Sequence, residues 1–237
     1  MAIPIEAGAV LHAYSEIKRR ILDGRYPAGM KLSEVRLAAE LGLGRSPIRS
    51  ALARLKSEGW VAVSPQSGTY VRSPSAQEIA DLFDLRLLLE SHVTRLAAER
   101  IGEDELRRLN RAFAAVAPDF DEAHIEEFFA LDTLLHTAIY RAAGNALAAD
   151  ILLNLRDKIS WIRRASAGAM GRLRRSREEL ERILRALEAR QPEAAAELMR
   201  QHIGNFADFR RGLPEEREAA STGLPGAAAA GRRDKAG

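Results

Sequence analysis

The chain has 237 residues, 46% of them hydrophobic, with no cysteine and a formal net charge of +3. That length and apolar content support one large or two small domains with a real core and exclude global disorder, while the lack of cysteine excludes disulfides and thiolate metal sites and fits a reducing cytoplasm. No apolar run approaches the ~20 residues that cross a bilayer, and the opening MAIPIEAGAV has no basic start and an apolar run broken by Glu6, so neither a membrane span nor a signal peptide is expected.

The charge is unevenly spread. Residues 1–74 carry 11 Lys/Arg against 6 Asp/Glu, whereas residues 75–237 carry 25 against 27. A basic first third joined to a near-neutral remainder fits a polyanion-binding module attached to a module of another kind.

In chain order, Leu11, Tyr14, Ile17, Ile21 and Leu22 mark a first amphipathic helix that ends near Gly24. Tyr26-Pro27-Ala28-Gly29 turns the chain, and Ser33 caps a second helix that runs to about Leu41. Gly42 supplies a positive φ at that helix's end. Ser46 as N-cap and Pro47 at the first helical position then predict a third helix to about Glu58, with Ile48, Leu52 and Leu55 as its buried stripe and Gly59 as its stop. Arg45, Arg49 and Ser50 lie off that stripe at the exposed start of the helix. A short helix, a tight turn and a second helix with an arginine-bearing tip form a helix-turn-helix, whose tip meets base edges in the major groove. Trp60 to Val63 and Thr69 to Val71, joined by the turn residues 64–68, predict a small β-hairpin wing.

Residues 73–75 form the expected linker. Beyond it the period is helical throughout, with helices predicted at about 76–101, 103–117, 121–143, 145–168, 173–190 and 192–212. Ser75, Asp121 and Asn145 serve as caps, and an antiparallel bundle is the default packing. Residues 213–237, with their Gly/Ala run, are expected to be a disordered tail. The fold class is therefore mainly α: a winged helix-turn-helix domain over 1–72 and an all-helical domain over 76–212.

The stretch from Ile17 to Val71, with IKRRILDGRYPAGMKLSEVRLAAELGLGRSPIRSALARLKSEGW and the later SGTYV, resembles the GntR family of bacterial transcription regulators. Two positions depart from its pattern: Gly44 stands where the family usually has Ser, and Ser50 where it usually has Glu. The resemblance places Arg36, Arg45 and Arg49 at base edges, where a guanidinium fork matches guanine O6 and N7. Ser46 and Gly68 suit phosphate or minor-groove approach, Gly68 either bringing the wing backbone close or only turning the hairpin. Lys18, Arg19, Lys31 and Lys56 are phosphate neighbours or ordinary surface.

The second domain resembles the all-helical effector-binding (FCD-type) domain of the FadR-like subfamily through RLLLE at 86–90, DTLLH at 132–136, AGN at 143–145 and His202. In many relatives one Asp and three His hold a divalent metal there. Asp132, His136 and His202 match three of those positions, a donor set that suits zinc, nickel or manganese. The fourth falls on Leu180, which cannot ligate, and some relatives use a metal-free pocket; both arrangements stay open at this point. Arg86 is either the partner of Glu90 four residues on or an anchor for an effector carboxylate. Trp161 either walls the pocket or fills the core, with the core favoured; His92 is structural and His124 lies on the surface.

The resemblance implies a cytoplasmic homodimer, not an enzyme. It would bind a palindromic operator in double-stranded DNA, more often repressing than activating, under control of a small carboxylate effector. The rival readings are a metal-dependent hydrolase built on Asp132, His136 and His202, and a non-specific DNA-binding protein.

Overall fold

A computed structural model of the chain describes residues 5–164 and 169–211. The chain divides into two compact units, Met1–Ser73 and Pro74–Leu213. The tail expected over 213–237 and the last residues of the helix expected to end at 168 lie outside the described residues.

The first unit runs α1 (Ile5–Leu22), β1 (Lys31–Leu32), α2 (Glu34–Leu41), α3 (Arg45–Ser57), β2 (Val61–Ser64) and β3 (Gly68–Val71). Its core is the apolar stripe of α1 (Ala13, Ile17, Ile21) packed on that of α3 (Ile48, Ala51, Leu52, Leu55), closed by Leu37, Trp60 and Val71. The sheet is antiparallel in the order β1-β3-β2. In the hairpin Val61 faces Val71 and Ser64 faces Gly68. β1, which pairs Leu32 with Thr69, was not expected: two residues carry no period, and their partner lies far along the chain.

The start of α3 corrects one expectation. Its N-cap is Gly44 in extended backbone, and Ser46 and Pro47 lie inside the first turn. Proline is tolerated there because no first-turn N–H has an intrahelical acceptor. Gly42 does end α2 in the left-handed region, with φ 64°. The far end of α3 is clamped by Glu58, which accepts from the Tyr14 hydroxyl at 2.6 Å and from Trp60 Nε1 at 3.2 Å.

The second unit is helical: α4 (Ala76–Arg100), α5 (Glu103–Ala115), a single 3-10 turn at Glu122–His124, α6 (Ile125–Ala142), α7 (Ala146–Arg164), α8 (Met170–Glu188) and α9 (Pro192–Arg211). Ser75 and Glu78 form a reciprocal capping box at the start of α4. Asp121 caps the 3-10 turn, and Asn145 Oδ1 accepts from the Ala148 N–H at 3.1 Å. α9 packs along α4 and α8, and one apolar core joins Phe83, Leu109, Phe128, Leu135, Ile139, Leu152, Leu180 and Met199. Gly144, φ +68°, is needed where it stands: a Cβ there would come within 2.8 Å of Arg100 Nη1, whose guanidinium donates to the Ala143 carbonyl.

Candidate functional site

In the first unit the residues named from the sequence share the exposed edge of α2 and α3. Arg36 and Arg49 have side chains 67% and 71% exposed, and Arg45 and Ser46 are exposed too. Gly44 offers no side-chain cap, so the first turn of α3 presents N–H groups beside Arg45, an arrangement that favours an anion. Two of the arginines are held by carboxylates. Arg36 donates to Glu40 at 2.6 Å, and Arg49 donates to both oxygens of Glu34 at 3.1 and 3.3 Å. These bonds lower the Glu34 and Glu40 carboxyls, Glu34 chiefly through Arg49 and Glu40 chiefly through the Tyr26 hydroxyl. Exposed pairs of this kind are worth ~0–1 kcal/mol and can be exchanged for phosphate at little cost.

Gly68, φ +122°, opens β3, and a Cβ there would lie 2.9 Å from Lys31 Cε. The glycine thus lets the Lys31 side chain lie across the wing. Lys18 instead sits 4.9 Å over the Trp60 ring, and Arg19 is taken up by Glu16 and Asp23.

In the second unit Asp132, His136 and His202 come together, all buried, with ligand atoms within 4.8 Å of one another. Each imidazole is backed by a carboxylate and each carboxylate by an arginine. His136 Nδ1 lies 2.6 Å from Glu90 Oε2, and Glu90 Oε1 accepts from Arg86 Nε at 2.5 Å. His202 Nδ1 lies 2.9 Å from Glu179 Oε2, and Glu179 takes two bonds from Arg172 at 2.7 and 2.9 Å. Arg86 and Glu90, four apart on α4, are therefore a fully buried pair rather than a solvated one. The two arms meet at Asp132, whose Oδ2 is 3.7 Å from His136 Nε2 and whose Oδ1 is 3.9 Å from His202 Nε2. A third arginine, Arg163 of α7, donates from Nη1 to Asp132 Oδ2.

Burial alone would raise these carboxyls, but the charges around them win. Arg86 and His136 hold Glu90 far below the carboxylate range, and Arg163 lowers Asp132. Hydrogen bonds from His202 and Arg172 bring Glu179 down to about 2. An ionised carboxylate only accepts, so each Nδ1 carries the proton. Burial, its largest influence, pushes the His202 pKa down and keeps that ring neutral, with the Nε2 lone pair facing Asp132. His136 Nε2 is buried without a hydrogen-bond partner, and so is Arg163 Nη2.

A cavity of about 20 Å³ is lined by the buried Arg86, Asp132, His136 and Tyr140, by Arg163, and by Thr133, Thr137, Ser160 and the exposed Arg156. The donor atoms of Asp132, His136 and His202 suit a divalent ion, and outer carboxylates that orient imidazoles are what such a site needs. The charge does not suit one. Arg86, Arg163 and Arg172 already balance Glu90, Asp132 and Glu179, and a dication would bury an uncompensated double charge. Leu180 is wholly buried in the apolar core and brings no donor.

Sequence reasoning passed over Glu90 as the support of His136, Glu179 as that of His202, and Arg163 altogether. The signal for Arg163 was present: Arg156, Ser160 and Arg163 follow one another at helical spacing on α7. Trp161 is half-buried. His124 is exposed, with Nδ1 2.6 Å from Asp121, and His92 is exposed in a groove beside Leu88 and Arg200. No helix among the described residues is long and apolar enough to cross a membrane.

Comparison with known proteins adds to this geometry. The profile of the bacterial regulatory proteins of the gntR family matches residues 9–71, and that of the FCD domain matches residues 81–205. The chain is 30% identical over 206 residues to the HTH-type transcriptional repressor GlaR of Escherichia coli, covering 81% of this chain and 91% of that protein. It is 33% identical over 173 residues to the gluconate operon transcriptional repressor of Bacillus licheniformis, covering 71% and 68%. Among solved structures, E. coli McbR/YncC superposes with a TM-score of 0.67 at 21% identity over 86% of this chain and 97% of that one, a likeness of fold.

Proposed function

The chain belongs to the GntR family of bacterial regulatory proteins, with an FCD domain behind its winged helix, and is a transcription regulator; on that premise we propose that it is a sequence-specific repressor whose DNA affinity is set by a small carboxylate held in the helical unit. The observation that carries the reading is the tip of α3, where Arg45 and Arg49 stand exposed at an uncapped first turn, with Arg36 beside them on α2. Those arginines supply the base contacts, and Ser46, Gly68 and Lys31 approach the backbone. A two-fold dimer in the cytoplasm presents two such tips to a palindromic operator.

Repression is supported by relatives named as repressors. A carboxylate effector is supported by a cavity lined by the buried Arg86 and Asp132, by Arg163, and by the exposed Arg156. One relative is named for a gluconate operon, and gluconate is a hydroxylated carboxylate. Binding of the effector alters DNA affinity only if it favours one arrangement of the dimer over another, and DNA must then alter effector affinity by the same factor.

The test is a gel-shift titration on the DNA upstream of the chain's own gene and on an unrelated duplex. Wild type is expected to prefer the upstream region, and Arg45→Ala to lose the preference while its circular dichroism stays unchanged. Equal binding of both duplexes by wild type would leave only a non-specific DNA-binding protein.

A further inference from the structure

We propose that Val35 is a specificity-determining residue that reads a thymine by its 5-methyl group, next to the base taken by Arg49. The inference deepens the DNA-reading proposal above and rests on it.

Val35 is the second residue of α2, one place after Glu34 and two after the cap Ser33. It is 57% exposed, whereas Leu32 just before the helix is 5% exposed and Leu37 on the next turn is 2% exposed. Two residues of helix turn by about 200°, so Val35 points away from the core that Leu37 enters. A β-branched residue at an exposed helical position is also a poorer helix former than alanine. Neither the core nor the helix therefore calls for a valine there.

The run from Lys31 to Arg36 joins the wing to the tip of α3. At one end Lys31 lies across the wing, where a Cβ on Gly68 would come within 2.9 Å of its Cε. Further along, Glu34 accepts from Arg49 at 3.1 and 3.3 Å, which brings the first turn of α2 against the exposed start of α3. Ser33 Oγ accepts from the Arg36 N–H, and the Arg36 guanidinium donates to Glu40. Lys31, Arg36 and Arg49 make this strip cationic, and Val35 is the exposed large apolar side chain within it. Cations around one apolar group describe a surface for a polyanion that carries an apolar knob. The base edges of duplex DNA offer such a knob in the 5-methyl of thymine, which stands in the major groove. The sugar carbons are apolar too, but they carry no sequence.

Valine suits the contact by its stiffness. In a helix its χ1 has one strongly preferred rotamer, so its two methyl groups are held in place and meet a flat base edge with little loss of side-chain freedom. Glu34 sets the spacing of the two readers. It holds Arg49 and is the chain neighbour of Val35, so the methyl belongs to a base pair adjacent to the one that Arg49 reads.

The experiment starts from a duplex enriched out of random sequence by the full chain. Arg49→Ala locates the base pair that Arg49 reads, as the one at which the variant stops discriminating. Each thymine of the site is then replaced, one at a time, by deoxyuridine, which lacks only the 5-methyl group, and affinity is measured by fluorescence anisotropy at fixed salt. Wild type is expected to lose about fourfold at one thymine adjacent to that base pair, the effect of leaving a methyl-sized group in water. Val35→Ala, which favours the helix and leaves Glu34 and Arg49 in place, is expected to bind the thymine and uracil duplexes equally, at the affinity wild type has for uracil. Both proteins are expected to bind random duplex alike. A site with no methyl effect adjacent to the base pair that Arg49 reads overturns the proposal. So does a uracil penalty that persists in Val35→Ala, because another side chain then reads the methyl, or an equal loss by Val35→Ala on enriched and random duplexes, because the valine then touches sugar. A chain that enriches no sequence removes the regulatory reading and this proposal together, whereas an enriched site whose thymines all tolerate uracil removes this proposal alone.

Discussion

The two units use the same chemical pair, an arginine on a glutamate, in opposite settings. Arg49 on Glu34 is solvated, with side chains 71% and 34% exposed, whereas Arg86 on Glu90 is buried at 4% and 0%. In water the pair is nearly free to dissolve and be replaced, which a surface that must meet phosphate and base edges requires. In the bundle the pair has given up its hydration and cannot lose one member without stranding the other. The winged unit therefore keeps Arg36 and Arg49 exchangeable, and the helical unit keeps Arg86 fixed on Glu90.

The sharpest way to break this contrast is Glu90→Ala. It strands Arg86 and frees His136 Nδ1, and it is expected to cost about 3–5 kcal/mol in urea unfolding followed through Trp161, with Trp60 replaced by Phe. Replacing Arg86 by Met and Glu90 by Leu together is expected to cost less than Glu90→Ala. A loss below 1 kcal/mol in the single variant would mean that the buried pair behaves as the exposed one does.

Next in size is Arg49→Ala, expected to leave the melting temperature unchanged and to remove ~1–3 kcal/mol of discrimination between operator and mismatched duplex. Smaller still is Glu34→Gln, which releases Arg49 and removes a charge facing the phosphates. It is expected to tighten DNA binding by at most about 1 kcal/mol, with the gain fading at high salt. Weaker binding would show that Glu34 positions the guanidinium.

The smallest effect concerns pH. Hydrogen bonds from Tyr26, at 2.6 Å, and from Arg36 hold the Glu40 carboxyl below its ordinary value. A depressed carboxyl stabilises the fold above the unfolded pKa of about 4.3 and stops doing so as pH falls through the folded value. Wild type should therefore lose melting temperature in the winged unit below about pH 4 more steeply than Glu40→Gln.

What was legible in the sequence was local. The helix-turn-helix declares itself through Leu37, Leu41, Ile48, Leu52 and Leu55 at helical spacing and through Gly42 at a turn that needs positive φ. The start of α3 was misplaced because Ser46-Pro47 is a strong local signal, while Gly44 caps through its backbone conformation alone. β1 escaped notice because a two-residue strand is defined by its partner. In the bundle, the likeness to a known family singled out Asp132, His136 and His202. Their supports lie on α4 and α8, and Arg163 is 31 residues from Asp132 on another helix. Leu180 drew attention to a missing ligand, whereas the neighbouring Glu179 is the residue that holds His202.

The most direct measurement is the ratio of affinities for operator and random duplex, by fluorescence anisotropy at fixed salt, for wild type and Arg45→Ala. The account predicts a large ratio in wild type that collapses in the variant, while affinity for random duplex barely changes. An unchanged ratio, or an equal loss on both duplexes, would contradict the claim that the tip of α3 reads sequence.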